Sequence, residues 1–480
     1  MEQITHFING KFESGNQVNW IDNIEPATGK VYSKIANAQE ETVNKAVIAA
    51  ELAFDNWSNA SRSFRSACLN KLANLVEQNL PQFAAAETKD NGKPLHVATA
   101  VDIPRAISNL RFFASAILHQ STEAHEDDQL AINFTLRQPI GVVACISPWN
   151  LPLYLFTWKV APALAVGNTV VAKPSEITPY TAFLLSKLIN EAGFPAGVFN
   201  IVHGTGVDCG EALVNHPKVK AITFTGGTKT GSRIASIAAP QFKKLSLELG
   251  GKNPTLVFDD CDFDATVSEV ARSSFSNQGQ ICLCGSRILI QRNIYNRFRD
   301  ALIEKVKKIK VGQPFDADVQ MGALVSATQL EKVKAYVQQA LQDGGILLTG
   351  GNQIHLSGEF EHGYYFEPTV FEGLNNQCAI NQEEVFGPVI TLQVFDNVDE
   401  AIAIANDSNY GLAASVWTQN ITTANRVAEK LKTGIVWINC WMLRDLRTPF
   451  GGMKNSGVGR EGGWEAIRFF TEAKNVCIKK

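Results

Sequence analysis

The sequence predicts an α/β protein of two packed domains, each built on a mostly parallel sheet covered by helices, with a small β arm standing off the body. Three observations carry this. From Pro139 to about Gly250, short runs rich in Val, Ile, Leu and Phe alternate strictly with helical segments, and beyond Gly250-Gly251 a second such series begins. Two strand-like stretches, 130–136 and 475–478, belong to neither series. Strict alternation implies a sheet buried on both faces, because each crossover helix lies on one face and covers it.

The bulk numbers set the bounds. With 480 residues and 45% hydrophobic content, the chain is long enough for two or three domains with large cores. A net charge of −3 gives no electrostatic reason to expect nucleic acid or an anionic membrane as partner. The nine cysteines are odd in number and scattered, which is no disulfide framework and fits a reducing compartment. Cys282-x-Cys284 lacks a second cysteine pair or a nearby histidine, so no metal site is expected. The start, MEQITHFINGKF, lacks the basic region and apolar stretch of a secretory signal, and no uncharged apolar run approaches membrane-spanning length. A cytoplasmic protein is expected.

Residues 39–118 read as helices, with Ala46, Ala49, Ala50, Leu52 and Ala53 on one apolar face and Leu69, Leu72, Leu75 and Val76 on another. A further helix is expected from Asp102-Ile103-Pro104, a cap followed by a first-turn proline, with Ile103, Ala106, Leu110, Phe113 and Ile117 at helical spacing. Arg105 and Arg111 on that helix are expected, by spacing alone, to be solvated or surface-paired. Residues 130–136 alternate apolar and polar like an exposed strand.

The first alternating series has strands at 141–146, 168–172, 199–203, 221–225 and 245–249, with helices at 153–166, 178–192, 207–215 and 228–238. This is the Rossmann-like architecture that binds dinucleotides at the carboxyl ends of its strands. G-x-G-x-x-G is missing. Instead Gly226-Gly227-Thr228-Lys229-Thr230-Gly231 follows a strand and opens a helix, where backbone amides can face a phosphate. Ser232-Arg233 after it rules out a P-loop. The second series has strands at 287–291, 346–348, 389–395, 414–417 and 435–439, with helices at 297–308, 329–341 and 422–431. A helix over 464–471 and a strand over 475–478 end the chain. The expected division is 1–120 with 140–250 as a nucleotide-binding domain, 251–450 as a catalytic domain, and 121–139 with 465–480 as an oligomerisation arm.

The chemistry centres on residues 275–287, FSNQGQICLCGSR, where Cys282 falls between a polar turn and a buried strand. A thiol at such a junction can expose its sulfur beside a free backbone N–H, as a covalent nucleophile needs. Cys282 and Cys284 equally fit small core residues, since free cysteine is among the most buried residue types. Four other stretches bear on the choice. Asn150 in Ser147-Pro148-Trp149-Asn150 follows the first strand, where its amide and the Cys282 N–H can hold an oxyanion. Glu176 in Lys173-Pro174-Ser175-Glu176 can accept from ribose hydroxyls and disfavours a 2′-phosphate, which favours NAD over NADP. Glu248 lies in an apolar frame, Leu247-Glu248-Leu249, which should raise its pKa toward general-base range. Glu384 and Phe386 flank a rigid Gly-Pro turn.

The combination SPWN, GNTVVAKPSE, FTGGTKTG, LELGGKNP, FSNQGQIC, EEVFGP and PFGGMKNSGVGRE resembles the NAD(P)-dependent aldehyde dehydrogenase superfamily over nearly the whole chain. One departure is Gly227, where many relatives carry serine. The resemblance implies Cys282 as nucleophile, Asn150 as oxyanion donor, and Glu248 as the base that activates water against a thioester. It also implies NAD held by Ser147, Trp149, Lys173, Ser175, Glu176, Gly206, Thr225, Gly226, Gly227, Gly231, Leu249, Glu384 and Phe386. Cys284 takes no such role.

Residues 437–450, WINCWMLRDLRTPF, match the family's aldehyde entrance. A guanidinium fork binds a carboxylate bidentately, so an arginine there can select an anionic aldehyde. Arg447 is expected to be neutralised by Asp445, and Arg444 to face substrate. DIPR, ICLCGSR and NCWMLRDLRTPFGGMKNSG resemble the branch that oxidises muconate-type semialdehydes, in which Arg105 and Arg444 grip the distal carboxylate and Trp158 lines the substrate site. The expected partners are therefore a small carboxylated aldehyde and further copies of the chain, as a homodimer or homotetramer joined through strand edges. A coenzyme A-acylating enzyme would not need Glu248, and a non-catalytic relative should have lost one of Cys282, Asn150 or Glu248.

Overall fold

A computed structural model describes residues 1–15 and 19–480. The first series forms a parallel sheet from Val142–Ile146, Thr169–Lys173, Phe199–Ile201, Val219–Thr225 and Lys244–Glu248. The chain steps outward from Val142–Ile146 through the next two strands, then returns to place Val219–Thr225 on its other side. Strand order therefore reverses between Val142–Ile146 and Val219–Thr225, which opens a crevice at their carboxyl ends. Ser147–Asn150 and Thr225–Gly227 both leave the sheet at that crevice. Antiparallel additions widen the sheet to eight strands: His6–Ile8 and Lys11–Glu13 at one edge, Gly457–Val458 at the other.

The helix Pro152–Ala165 is apolar on all sides and buried at every position, so it is a core element rather than a surface one. It starts two residues after Asn150, and its lone charged residue, Lys159, needs a buried partner. The helix Ile103–Ala116 lays Ile103, Ala106, Leu110 and Phe113 against it. Asp102 is not a cap. Helical backbone runs through it from a π turn at Ala98–Asp102, and its carboxylate accepts from Lys93 instead. Arg111 pairs with Glu77 at the surface as expected, but Arg105 does not. It lies half-buried over the rings of Tyr154 and Trp158.

The second sheet has seven strands, all parallel to their neighbours except Ile346–Thr349 at one edge. Its strand Asn253–Val257, interior to the sheet beside Gly285–Gln291, is absent from the expected strands, and Pro254 within it lacks the N–H that a ladder uses. The ladder accommodates the proline with a register shift between Asn253 and Pro254. The arm is a three-stranded antiparallel sheet in which Ala131–Pro139 lies between Ala124–Asp127 and Thr471–Lys479. Thr471–Lys479 forms an outer edge of that sheet. Among the described residues, no helix is long and apolar enough to cross a membrane.

Candidate active site

Cys282 sits between a 3-10 turn, Ser276–Gly279, and the strand Gly285–Gln291. The turn holds three consecutive residues in the left-handed region, Asn277, Gln278 and Gly279, at φ 51°, 58° and 70°. Such backbone is costly for non-glycine residues and persists only where its surroundings hold it. Gln278 Nε2 donates to Ala323 O at 2.9 Å, and any side chain at Gly279 would strike the Gly387 carbonyl. Downstream, Asn253 Nδ2 donates to both the Cys282 and Cys284 carbonyls, at 2.6 and 2.9 Å. Cys282 stays partly exposed while Cys284 is buried in the core cluster.

Cys282 shares a cavity with Lys252, Glu384 and Phe386. Burial pushes its thiol above the usual range, and the Glu384 and Glu248 carboxylates add to this while Arg444 opposes it. Glu248 ends the strand Lys244–Glu248 and is buried, with neither carboxylate oxygen hydrogen-bonded. Burial, then the charge of Glu461, raises it well above the ordinary carboxylate value. Glu461 itself accepts from Lys159 Nζ at 2.8 Å and from Thr223 Oγ1 at 3.0 Å, which is the partner that Lys159 needs. A methyl at Gly451 would lie 2.8 Å from Glu248 Oε1, so the facing turn must be bare. Asn150 is buried and its Nδ2 donates to Gln280 O at 3.0 Å, which brings its amide to the turn that carries Cys282. A side-chain amide has two N–H groups, and one suffices for that bond.

At the crevice, a cleft of about 280 Å³ is lined by Ser147, Trp149, Lys173, Ser175, Glu176, Gly206, Thr225, Gly226 and Gly227. Lys173 Nζ donates to Glu176 Oε2 at 3.0 Å, and Gly206 N to Glu176 Oε1 at 3.3 Å. Burial acts to raise Glu176, but Lys173 and backbone N–H groups outweigh it and hold the carboxylate below its ordinary value. Ser147 Oγ and Thr225 Oγ1 are buried without partners. Side chains at Gly206 and Gly227 would project into open space. Trp149 and Phe386 meet edge to face with centroids 5.1 Å apart, joining this cleft to the Cys282 cavity. Glu384 Oε1 accepts from Gly251 N at 2.9 Å. Gly231 and Leu249 line neither space. A side chain at Gly231 would collide with Leu249, so the glycine serves close helix–strand packing.

A third space, about 720 Å³, is mostly apolar and reaches Leu151, Tyr154, Ile281 and Trp441. Arg444 Nη1 donates to Tyr154 Oη at 2.8 Å, and its guanidinium lies 5.5 Å from the Trp158 ring centroid and 4.1 Å from that of Phe450. Arg105 lies 5.4 Å from the Tyr154 ring and 6.0 Å from Trp158, with Nε and Nη2 buried and unpartnered. Trp158 Nε1 is likewise buried without a partner. Arg447 is exposed and doubly bonded to Asp445, as the sequence implied. Tyr154, Asn253 and Asn277 were not singled out from the sequence. Their long-range contacts span from 29 residues of chain, for Asn253 and Cys282, to 290, for Tyr154 and Arg444, and local spacing carries no signal for them.

A partly exposed thiol, an amide bonded to its turn, a buried carboxylate and a cleft at the switch point of a parallel sheet lie together here. The aldehyde dehydrogenase family model matches residues 12–476, and the chain belongs to that family. The chain is 49% identical to human (Homo sapiens) 2-aminomuconic semialdehyde dehydrogenase, covering 99% of this chain and 98% of the relative. It is 44% identical to 2-hydroxymuconic semialdehyde dehydrogenase of Pseudomonas sp. (strain CF600), covering 100% of both. Among solved structures, the NAD+ complex of an aldehyde dehydrogenase from Bacillus cereus superposes with a TM-score of 0.97 at 40% identity, covering 100% of this chain and 97% of that one.

Proposed function

We propose that the protein uses NAD to oxidise a carboxylated semialdehyde, 2-aminomuconate 6-semialdehyde first and 2-hydroxymuconate semialdehyde as the alternative, to the dicarboxylate. The observation that carries the substrate is the arginine pair. Arg105 and Arg444 converge on Trp158 and Tyr154, and two buried nitrogens of Arg105, Nε and Nη2, make no hydrogen bond. Buried donors without partners are rare because each costs free energy, so a carboxylate that accepts from them is favoured. The names of the relatives support the same substrate class.

The cofactor cleft fits NAD. Its open glycines leave room for a pyrophosphate against the helix start at Thr228, and the ionised Glu176 accepts from ribose hydroxyls while repelling a 2′-phosphate. Bound NAD supplies the hydride acceptor. Cys282 Sγ attacks the aldehyde carbon, and the free N–H of Asn150 with the Cys282 backbone N–H holds the resulting oxyanion. Cys282 attacks as the thiolate, its proton having been released to solvent, so Glu248 stays free to act as a base in the later step. Once hydride has left, a thioester remains on Cys282, and Glu248 activates the water that cleaves it to the free acid. Glu384 holds the second ribose, Phe386 with Trp149 walls the ring, and Lys173 fixes Glu176. Residues 1–120 with 140–250 carry the cofactor, 251–450 the chemistry, and 121–139 with 465–480 join copies through the free edge of Thr471–Lys479.

Arg444→Ala should raise KM for the carboxylated semialdehyde about 10–100-fold, the range expected on losing a hydrogen bond to a charged group. KM for hexanal should rise far less, and equal losses on both substrates would sink the carboxylate clamp. Gly250→Ala should raise KM for NAD by about tenfold or more, because the added methyl displaces the Glu384 carboxylate. An unchanged KM for NAD would remove Glu384 from the cofactor site.

A further inference from the structure

We infer that Asn277 is a positioning residue that locks the Asn150 amide onto the nucleophile's turn before substrate arrives. This rests on the reading of Asn150 as oxyanion donor. The geometry is a closed ring of hydrogen bonds. Asn277 Nδ2 donates to Asn150 O at 3.1 Å and to Gln280 O at 3.2 Å. Asn150 Nδ2 donates to the same Gln280 O at 3.0 Å. One side chain thus ties the backbone of the oxyanion donor to the carbonyl that orients its amide, two residues before Cys282.

Two buried groups reinforce the ring from the opposite side. Lys93 Nζ, bonded to Asp102 and beside Glu87, donates to Asn150 O at 3.2 Å, and Asn91 Nδ2 donates to it at 3.3 Å. Glu87 Oε2 accepts from Leu153 N at 3.3 Å, so the same cluster also pins the start of the buried helix that follows Asn150. Three donors on one carbonyl exceed what satisfying that carbonyl requires, since a single carbonyl has two lone pairs. Their common effect is to fix the Asn150 backbone from which the side chain reaches Gln280 O. Asn277 is suited to its place because asparagine is among the few residues that tolerate left-handed backbone. Preorganised donors give an oxyanion hole its advantage over water, since no reorganisation is needed at the moment of reaction.

A double-mutant cycle on the full-length enzyme tests this. Asn277→Gly removes the amide and keeps the left-handed backbone available. It should lower kcat about tenfold, part of the loss seen when an oxyanion donor is deleted outright, with KM for NAD unchanged. With Asn150→Ala already present, the same substitution should change kcat by less than about twofold, because its effect runs through Asn150. Equal fold-losses in both backgrounds would overturn the inference and leave the role of Asn150 standing. Asn150→Ala with native kcat would remove that role and the inference together. If Asn277→Gly proves too unstable to purify, Asn91→Ala in the same cycle decides, with the same coupling expected from the same carbonyl.

Discussion

Cys282→Ala is expected to abolish aldehyde-dependent NADH formation, with kcat reduced by about 10⁴-fold or more, the scale on which enzymes lose activity when a covalent nucleophile is removed. No neighbour can substitute for it. Cys284, the next thiol in sequence, is buried in the core with its N–H held by the Ile281 carbonyl. Cys284→Ala should therefore stay within a few-fold of native kcat, at a stability cost of about 1 kcal/mol for a small buried side chain. Monitoring NADH absorbance with both variants at matched folded fractions makes the comparison. Equal losses from the two substitutions would mean that the turn, rather than the sulfur of Cys282, is what the reaction needs.

Glu248→Gln gives the second-largest effect, and of a different kind. The substitution preserves size, so the close approach of Gly451 is undisturbed. It removes the base, and steady-state kcat should fall about 10²–10⁴-fold. If Glu248 acts mainly on the thioester, NADH should still form in the first turnover as a burst, and intact-mass analysis should find the acyl group on Cys282. The pH dependence has a definite sign. Burial and Glu461 raise the Glu248 pKa in the folded protein, so the basic form is present above that raised value and is lost as pH falls through it. Native kcat should rise with pH across a limb lying above the ordinary carboxylate range, and Glu248→Gln should flatten that limb. A burst with no adduct, or an unshifted limb in the variant, would assign hydrolysis to another group.

Much of this was legible from the sequence because the determinants are local. Strict strand–helix alternation gave the first sheet, and the motif at 275–287 placed a thiol beside a turn. The exceptions share a physical cause: long-range partners override local pattern. Asp102 looks like a cap, but its carboxylate is taken by Lys93. Arg105 occupies a polar position on an amphipathic helix, yet the next helix brings Tyr154 and Trp158 beneath it. The interior strand Asn253–Val257 contains Pro254, which the ladder absorbs with a register shift. Asn277 joins Asn150 across 127 residues of sequence, a contact for which local spacing carries no signal.

Selection of a carboxylated aldehyde by the half-buried Arg105 and Arg444 is tested most directly on the native enzyme. The measurement is the ratio of kcat/KM for a muconate-type semialdehyde to that for a neutral aldehyde of equal chain length. The arginine pair predicts a ratio of about 10² or more, the equivalent of one or two charge-assisted hydrogen bonds. A ratio near one would contradict the claim.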